Sequence, residues 1–152
     1  MNNNAIWGLV SLLSILLLSA GFALAQVNTG KKLTVVLTGA AEVLGPGDTN
    51  GSGTASVWLN QGQTQVCYEI SVSNIEVATM AHIHEGAADA AGPVVITLMT
   101  PGADGKSKGC VDASADLIKR IRQTPENFYV NVHNAAFPDG AVRGQLAKKM
   151  KK

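Results

Sequence analysis

Between residues 31 and 72 the chain repeatedly sets an apolar side chain at every second position. Lys31–Thr38 carries Leu33, Val35 and Leu37; Gly53–Asn60 carries Ala55, Val57 and Leu59; Thr64–Val72 carries Val66, Tyr68, Ile70 and Val72. Successive side chains of an extended backbone point to opposite faces, so this period gathers each apolar set on one side and leaves polar residues on the other. A helix would scatter the same residues around its circumference. Glycine-rich turns, Gln61-Gly62-Gln63 among them, separate the runs. The pattern therefore predicts half-buried antiparallel strands.

Further strands are expected at Thr79–Glu85, Val94–Met99, Phe128–Asn134 and Ala141–Leu146. Gly86–Gly92, Pro101–Gly109 and Pro138-Asp139-Gly140 supply turn chemistry between them. Ser114–Gln123 departs from the pattern. Its Leu117, Ile118 and Ile121 fall at helical spacing, with Ser114 as the N-cap and Pro125 as the stop. The expected fold class is all-β: a Greek-key antiparallel sandwich or barrel of about eight strands with one short helix.

Ala5–Ala25 is apolar apart from three serines and ends in Ala23-Leu24-Ala25, the small-x-small pattern that signal peptidase accepts. Residues 1–25 are thus expected to be an export signal cleaved before Gln26, with an uncleaved membrane anchor as the alternative, since the run is long enough to span a bilayer. Residues 26–147 form the β domain and 148–152 a basic tail with four lysines, a weak contact for an anionic surface or simply a solvated end. Export makes the chain secreted or periplasmic and gives Cys67 and Cys110, the only two cysteines, one intramolecular pairing. A formal charge of +1 gives no footprint for nucleic acid.

The three histidines carry the chemistry. His82 and His84 are an H-x-H pair within one expected strand, on one face, with Cα atoms about 6.6 Å apart. His133 lies in another expected strand and completes a three-imidazole set if the strands are neighbours. Such a set suits Zn²⁺ or Cu²⁺, with the fourth position open to water or an acid. Hydrogen-bonded structural histidines are the competing reading. Asp48–Gly53 opens like a calcium loop but has Leu59 where the bidentate Glu belongs, which favours a plain turn. No P-loop or dinucleotide fingerprint occurs, and His84-Glu85 fails as H-E-x-x-H because position 88 is Ala. Arg143 and Gln145 share a strand face; Arg143 is expected to pair internally with Glu42 or another buried acid rather than hold an anionic ligand. Gly144 between them admits a closely approaching neighbour.

Taken together, these residues resemble the CHRD family, the domain first described in chordin. The resemblance runs from about Lys31 to Leu146. It rests on Leu37-x-Gly39-x-x-Glu42-Val43, Gly51-x-Gly53-x-Ala55, Cys67-Tyr68-x-Ile70, Ala81-His82-Ile83-His84-x-Gly86, Gly92-Pro93-Val94-Val95, Tyr129-Val130-Asn131-Val132-His133 and Phe137-Pro138-x-Gly140-x-x-Arg143-Gly144-Gln145-Leu146. Leu44-Gly45-Pro46 stands where the family often has a proline pair. The resemblance implies an extracellular or periplasmic β-rich module and brings no catalytic activity with it. The H-x-H pair on a Greek-key fold is also similar, at the level of fold alone, to copper/zinc superoxide dismutase.

The leading expectation is an exported, non-enzymatic binding module that holds copper or zinc through His82, His84 and His133, with Arg143, Gln145 and Glu42 supporting the site or contacting a ligand. A structural or adhesive domain without metal, whose partner is an extracellular protein or polymer, is the second reading. A small redox or hydrolytic metalloenzyme is the third.

Overall fold

The computed structural model describes residues 30–147. The expected export signal at 1–25 and basic tail at 148–152 lie outside the described residues. Eight strands form: β1 (Gly30–Thr38), β2 (Ser52–Asn60), β3 (Gln65–Ser73), β4 (Ala78–Glu85), β5 (Val94–Leu98), β6 (Lys106–Asp112), β7 (Phe128–Asn134) and β8 (Val142–Gln145). One helix, α1 (Ala115–Gln123), precedes β7, and single 3-10 turns occupy Gly39–Ala41 and Pro125–Asn127.

The strands make one eight-stranded sheet in the order β5-β4-β7-β8-β1-β2-β3-β6, and every ladder is antiparallel. The non-consecutive neighbours β3/β6, β4/β7 and β1/β8 require connections that cross the ends of the barrel. The sheet curls until β5 and β6 approach each other without a ladder. At this seam the backbone N–H of Met99 donates to the Tyr68 hydroxyl at 2.6 Å. The fold is the expected all-β barrel, nearly closed.

The alternating residues meet inside. Leu33 pairs with Val57 and Val57 with Tyr68, while Ile83 sits between Ile96 and Val130. All are buried, and with Leu37, Leu59, Val66, Phe128, Val132 and Leu146 they form the core. Each such burial contributes roughly 1.5–3 kcal/mol. Helix α1 closes one end with buried Leu117, Ile118 and Ile121. As its spacing predicts, Ser114 Oγ caps it by accepting from the Leu117 N–H at 3.2 Å.

One strand differs from expectation. Pro101–Gly109 reads as turn, yet β6 begins at Lys106 and pairs with β3 from Ser71↔Lys106 to Gln65↔Asp112. The turn itself ends at Gly105, whose φ is +72°. Strand β6 lies at the sheet edge and buries only Ser107, so it has no apolar alternation to announce it. Cys67 and Cys110 are direct cross-strand partners of β3 and β6, their Cα atoms 3.9 Å apart, and the disulfide fastens this edge strand to the barrel. The start of Asp48–Gly53 is a turn that runs into β2 at Ser52: Asp48 Oδ1 accepts from the Asn50 N–H and its carbonyl from the Gly51 N–H.

Candidate metal centre

The histidines lie on the outer face of the barrel wall, back to back with the core. Strand β7 is buried along its whole length. Phe128, Val130 and Val132 face inward, whereas Tyr129, Asn131 and His133 face outward beneath loops. Cross-strand register sets His84 opposite Tyr129, His82 opposite Asn131 and Met80 opposite His133. On the other side of β7, Tyr129 faces Gln145 and Asn131 faces Arg143. The expected neighbour relation between the two histidine strands is therefore realised.

Hydrogen bonding fixes two of the three rings. His84 Nδ1 lies 2.9 Å from the Gly92 carbonyl oxygen, and His133 Nδ1 lies 2.9 Å from that of Pro138. A carbonyl only accepts, so both Nδ1 atoms carry hydrogen and both Nε2 atoms of the neutral rings present lone pairs. His84 Nε2 is buried and has no hydrogen-bond partner. His133 Nε2 faces His82 Nδ1 at 3.2 Å. Two nitrogens bound tetrahedrally at Zn–N distances of 2.0–2.1 Å stand about 3.3 Å apart, so this pair already has the spacing of two ligands. One nitrogen from each ring can be chosen so that all three lie within 4.8 Å of one another. Among the described residues this is the one group of three or more His, Cys, Asp or Glu side chains so arranged.

Electrostatics keeps the rings neutral. Burial, aided by the neighbouring His133 and His84, lowers the His82 pKa to about 4. Burial also lowers those of His84 and His133, against the hydrogen bonds to Gly92 and Pro138. Neutral imidazoles are the form that binds metal.

The surrounding side chains hold the loops over this face. His84 stacks on Tyr129 with ring centroids 4.7 Å apart and planes within 5°. The Arg143 guanidinium lies 3.4 Å from the centre of the same Tyr129 ring. Arg143, only 2% exposed, donates through one nitrogen to the carbonyls of Ala87 (2.7 Å) and Ala90 (3.0 Å). Gln145 donates to the carbonyls of Gly86 and Glu126. Loop 86–93, which supplies the Gly92 carbonyl to His84, is thus clamped from below. Glu42 accepts from Asn131 Nδ2 at 2.7 Å, and burial raises its pKa to about 7 against the pull of Arg143 and Asn131. Gly140 has φ +146°, and a Cβ there would meet the Glu42 carboxyl at 2.4 Å. At Gly144 a Cβ would lie 2.2 Å from the Val36 carbonyl oxygen, the close approach its position suggests.

The expected pairing of Arg143 with an acid takes a different form. Among the described residues the ion pairs are those of Arg120 with Glu85 and Asp116. Arg143 meets backbone carbonyls and an aromatic face instead, and Glu42 influences it only through space. The Tyr129 ring and the carbonyls occupy the guanidinium. Tyr129, Asn131, Gly92 and Pro138 are parts of the site that pattern reading did not single out. Tyr129 and Asn131 were detectable in principle, being in phase with His133 on one strand.

The family model described as CHRD domain matches residues 33–146. The chain belongs to the CHRD family. The match runs from within β1 to the residue after β8 and includes all three histidines, Glu42, Arg143, Gln145 and both cysteines. CHRD domains are extracellular, and the disulfide of this CHRD barrel fits an exported protein. No helix among the described residues is long and apolar enough to cross a membrane. No curated protein and no solved structure matches the chain.

Proposed function

We propose that this CHRD domain is an exported, non-enzymatic binding module that holds a copper or zinc ion through His82, His84 and His133. The observation that carries the reading is the buried, partnerless Nε2 of His84, aimed from a ring whose other nitrogen is anchored on Gly92. A buried polar atom without a partner costs about 1–3 kcal/mol, a cost that a bound ion removes. The anchoring carbonyls match the habit of metal-binding histidines, which donate their second N–H to a fixed acceptor. Arg143 and Gln145 hold the loop that supplies one of those acceptors, and Glu42 holds Asn131 beside His82. Export is supported by the Ala23-Leu24-Ala25 pattern, the disulfide and the family's extracellular habit.

A second reading is favoured by one contact. The His82–His133 hydrogen bond is what a metal-free structural cluster would use. The module would then serve through its surface, with a protein or polymer partner, and the histidines would only fix the loops.

Equilibrium dialysis separates the two. The protein, dialysed against Zn²⁺ or Cu²⁺ and analysed for bound metal, is expected to retain one ion per chain. The His82→Ala/His84→Ala/His133→Ala variant, verified as folded by circular dichroism, is expected to retain none. Folded wild-type protein that emerges without metal sinks the metal reading.

A further inference from the structure

Strand β4 carries one more side chain on the histidine face. Met80 stands two residues before His82 and directly opposite His133. It is 44% exposed, a large apolar side chain lying outside the core on the wall that the histidines occupy. A break in register puts it there. The β4–β7 ladder shifts between Ala78 and Met80, making Thr79 the extra residue of a bulge. Ala78 and Ala81 are both buried, and the two residues between them are both exposed. Without the bulge, strict alternation from Ala78 would turn Met80 into the barrel. Bulges characteristically re-aim a side chain next to a site.

We infer that the Met80 thioether is a fourth ligand of the three-histidine centre and makes it a site for copper, above all Cu(I). The inference rests on the three-histidine reading. Directly opposed residues of an antiparallel pair have Cβ atoms about 4.5–5.5 Å apart, and three rotatable bonds let the methionine sulfur swing toward the His133 ring. A thioether is a soft ligand that selects Cu(I), while zinc sites are built from thiolate, imidazole and carboxylate. Charge points the same way. The set of three neutral imidazoles and a thioether contains no anion, and the buried Arg143 cation sits over the ring that His84 stacks on. Glu42, bound to Asn131 beside His82, and Asp139, which acts on His133 through space, lie near the cluster but outside the group that can share one ion, so the ligand set itself is neutral and suits a monovalent ion better than a divalent one.

The test measures Cu(I) and Zn²⁺ affinities of the full-length protein and its Met80→Leu variant. Cu(I) is determined anaerobically by competition with a chromogenic chelator. Leucine preserves the size and apolarity of this partly exposed position, so folding should survive. The expected result is a Cu(I) affinity weakened by about tenfold or more, the scale on which metal sites respond even to lost outer partners, with Zn²⁺ affinity unchanged. X-ray absorption of the Cu(I)-loaded wild type should show a sulfur bonded to copper, absent from the variant. Equal Cu(I) affinity in the two proteins, equal loss for both metals, or a copper spectrum with nitrogen and oxygen neighbours only would overturn the Met80 assignment while leaving a zinc-binding wild type intact. Wild-type protein that binds neither ion would remove the three-histidine centre itself, and Met80 with it.

Discussion

His82 Nδ1 lies 3.2 Å from His133 Nε2, across the ladder that joins β4 to β7. In the metal-free protein one hydrogen bridges this gap. Because His133 Nδ1 is committed to the Pro138 carbonyl, its Nε2 accepts and His82 donates. Metal binding would place an ion in this gap, with the His82 hydrogen moved to Nε2 of the same ring, without separating the strands. The same contact thus belongs to two states of one site, differing by the tautomer of His82 and a cation.

The first consequence is thermal. An ion that binds the folded chain alone stabilises it by about 2.7 kcal/mol at a free concentration one hundred times its Kd. Zn²⁺ is therefore expected to raise the melting temperature by several degrees, and a chelator to reverse the rise. Differential scanning calorimetry makes the comparison. The triple His→Ala variant should show no metal-dependent shift.

Acidity acts on the metal-free protein through two opposed sets of groups. Histidine pKa values are lower in the folded state, His82 at about 4, so the unfolded chain takes up protons first as pH falls. Their stabilising contribution is full above the ordinary histidine value of 6.5 and is lost as pH falls toward 4. Glu42 works in the reverse sense. Its pKa is raised from 4.5 to about 7, so its contribution is full below 4.5 and is lost as pH rises through 7. Between 4.5 and 6.5 the two partly cancel. Glu42→Gln should therefore melt higher than wild type above pH 7 and lose stability more steeply on acidification. Parallel melting-temperature profiles would contradict the assignment of Glu42.

Arg143 is the clamp on loop 86–93. Arg143→Met keeps much of the bulk but leaves the Ala87 and Ala90 carbonyls without their charged donor. Hydrogen bonds to charged groups contribute about 1.5–3 kcal/mol, and a loss of roughly 3 kcal/mol is expected in urea unfolding. Amide exchange should accelerate in residues 86–93 more than in the core strands. Arg143→Lys should recover only part of the loss, since a point charge does not reproduce the planar guanidinium over Tyr129.

The disulfide closes a loop with a sequence separation of 43 between Cys67 and Cys110. The chain-entropy argument gives about 4 kcal/mol for a loop of that size, as an upper-side value. Cys67→Ser/Cys110→Ser should unfold at clearly lower guanidinium concentration than wild type. Exchange at the β6 edge should rise most, because β3 is its one ladder partner.

Most of the barrel is legible in the sequence because β1, β2 and β3 alternate buried and more exposed residues along most of their length, and the remaining expected strands carry apolar residues between clear turns, even where β7 is buried on both faces. Strand β6 is not. Lys106–Asp112 buries Ser107 alone, and its place is decided by the β3 edge and by Cys110, which are tertiary facts. The H-x-H pair and His133 are legible as ligands by phase and residue type. What orients them is not, because the Gly92 and Pro138 carbonyls belong to loops whose approach depends on Arg143, Gln145 and Glu42. Arg143 likewise looks like one half of an ion pair, and only the folded loops reveal carbonyls as its partners. Met80 shares the phase of His82 in the sequence, but the bulge that turns it outward appears only in the ladder.

The central claim is that backbone carbonyls set the tautomers of His84 and His133 so that ring lone pairs converge on one ion. Long-range ¹H–¹⁵N spectra of the imidazoles, recorded on metal-free protein and during Zn²⁺ titration, test it most directly. The account predicts that His84 and His133 are protonated at Nδ1 without metal, and that both Nε2 resonances shift and saturate at one equivalent of Zn²⁺. Nε2-protonated rings, or nitrogen resonances that stay fixed through excess Zn²⁺, would contradict it.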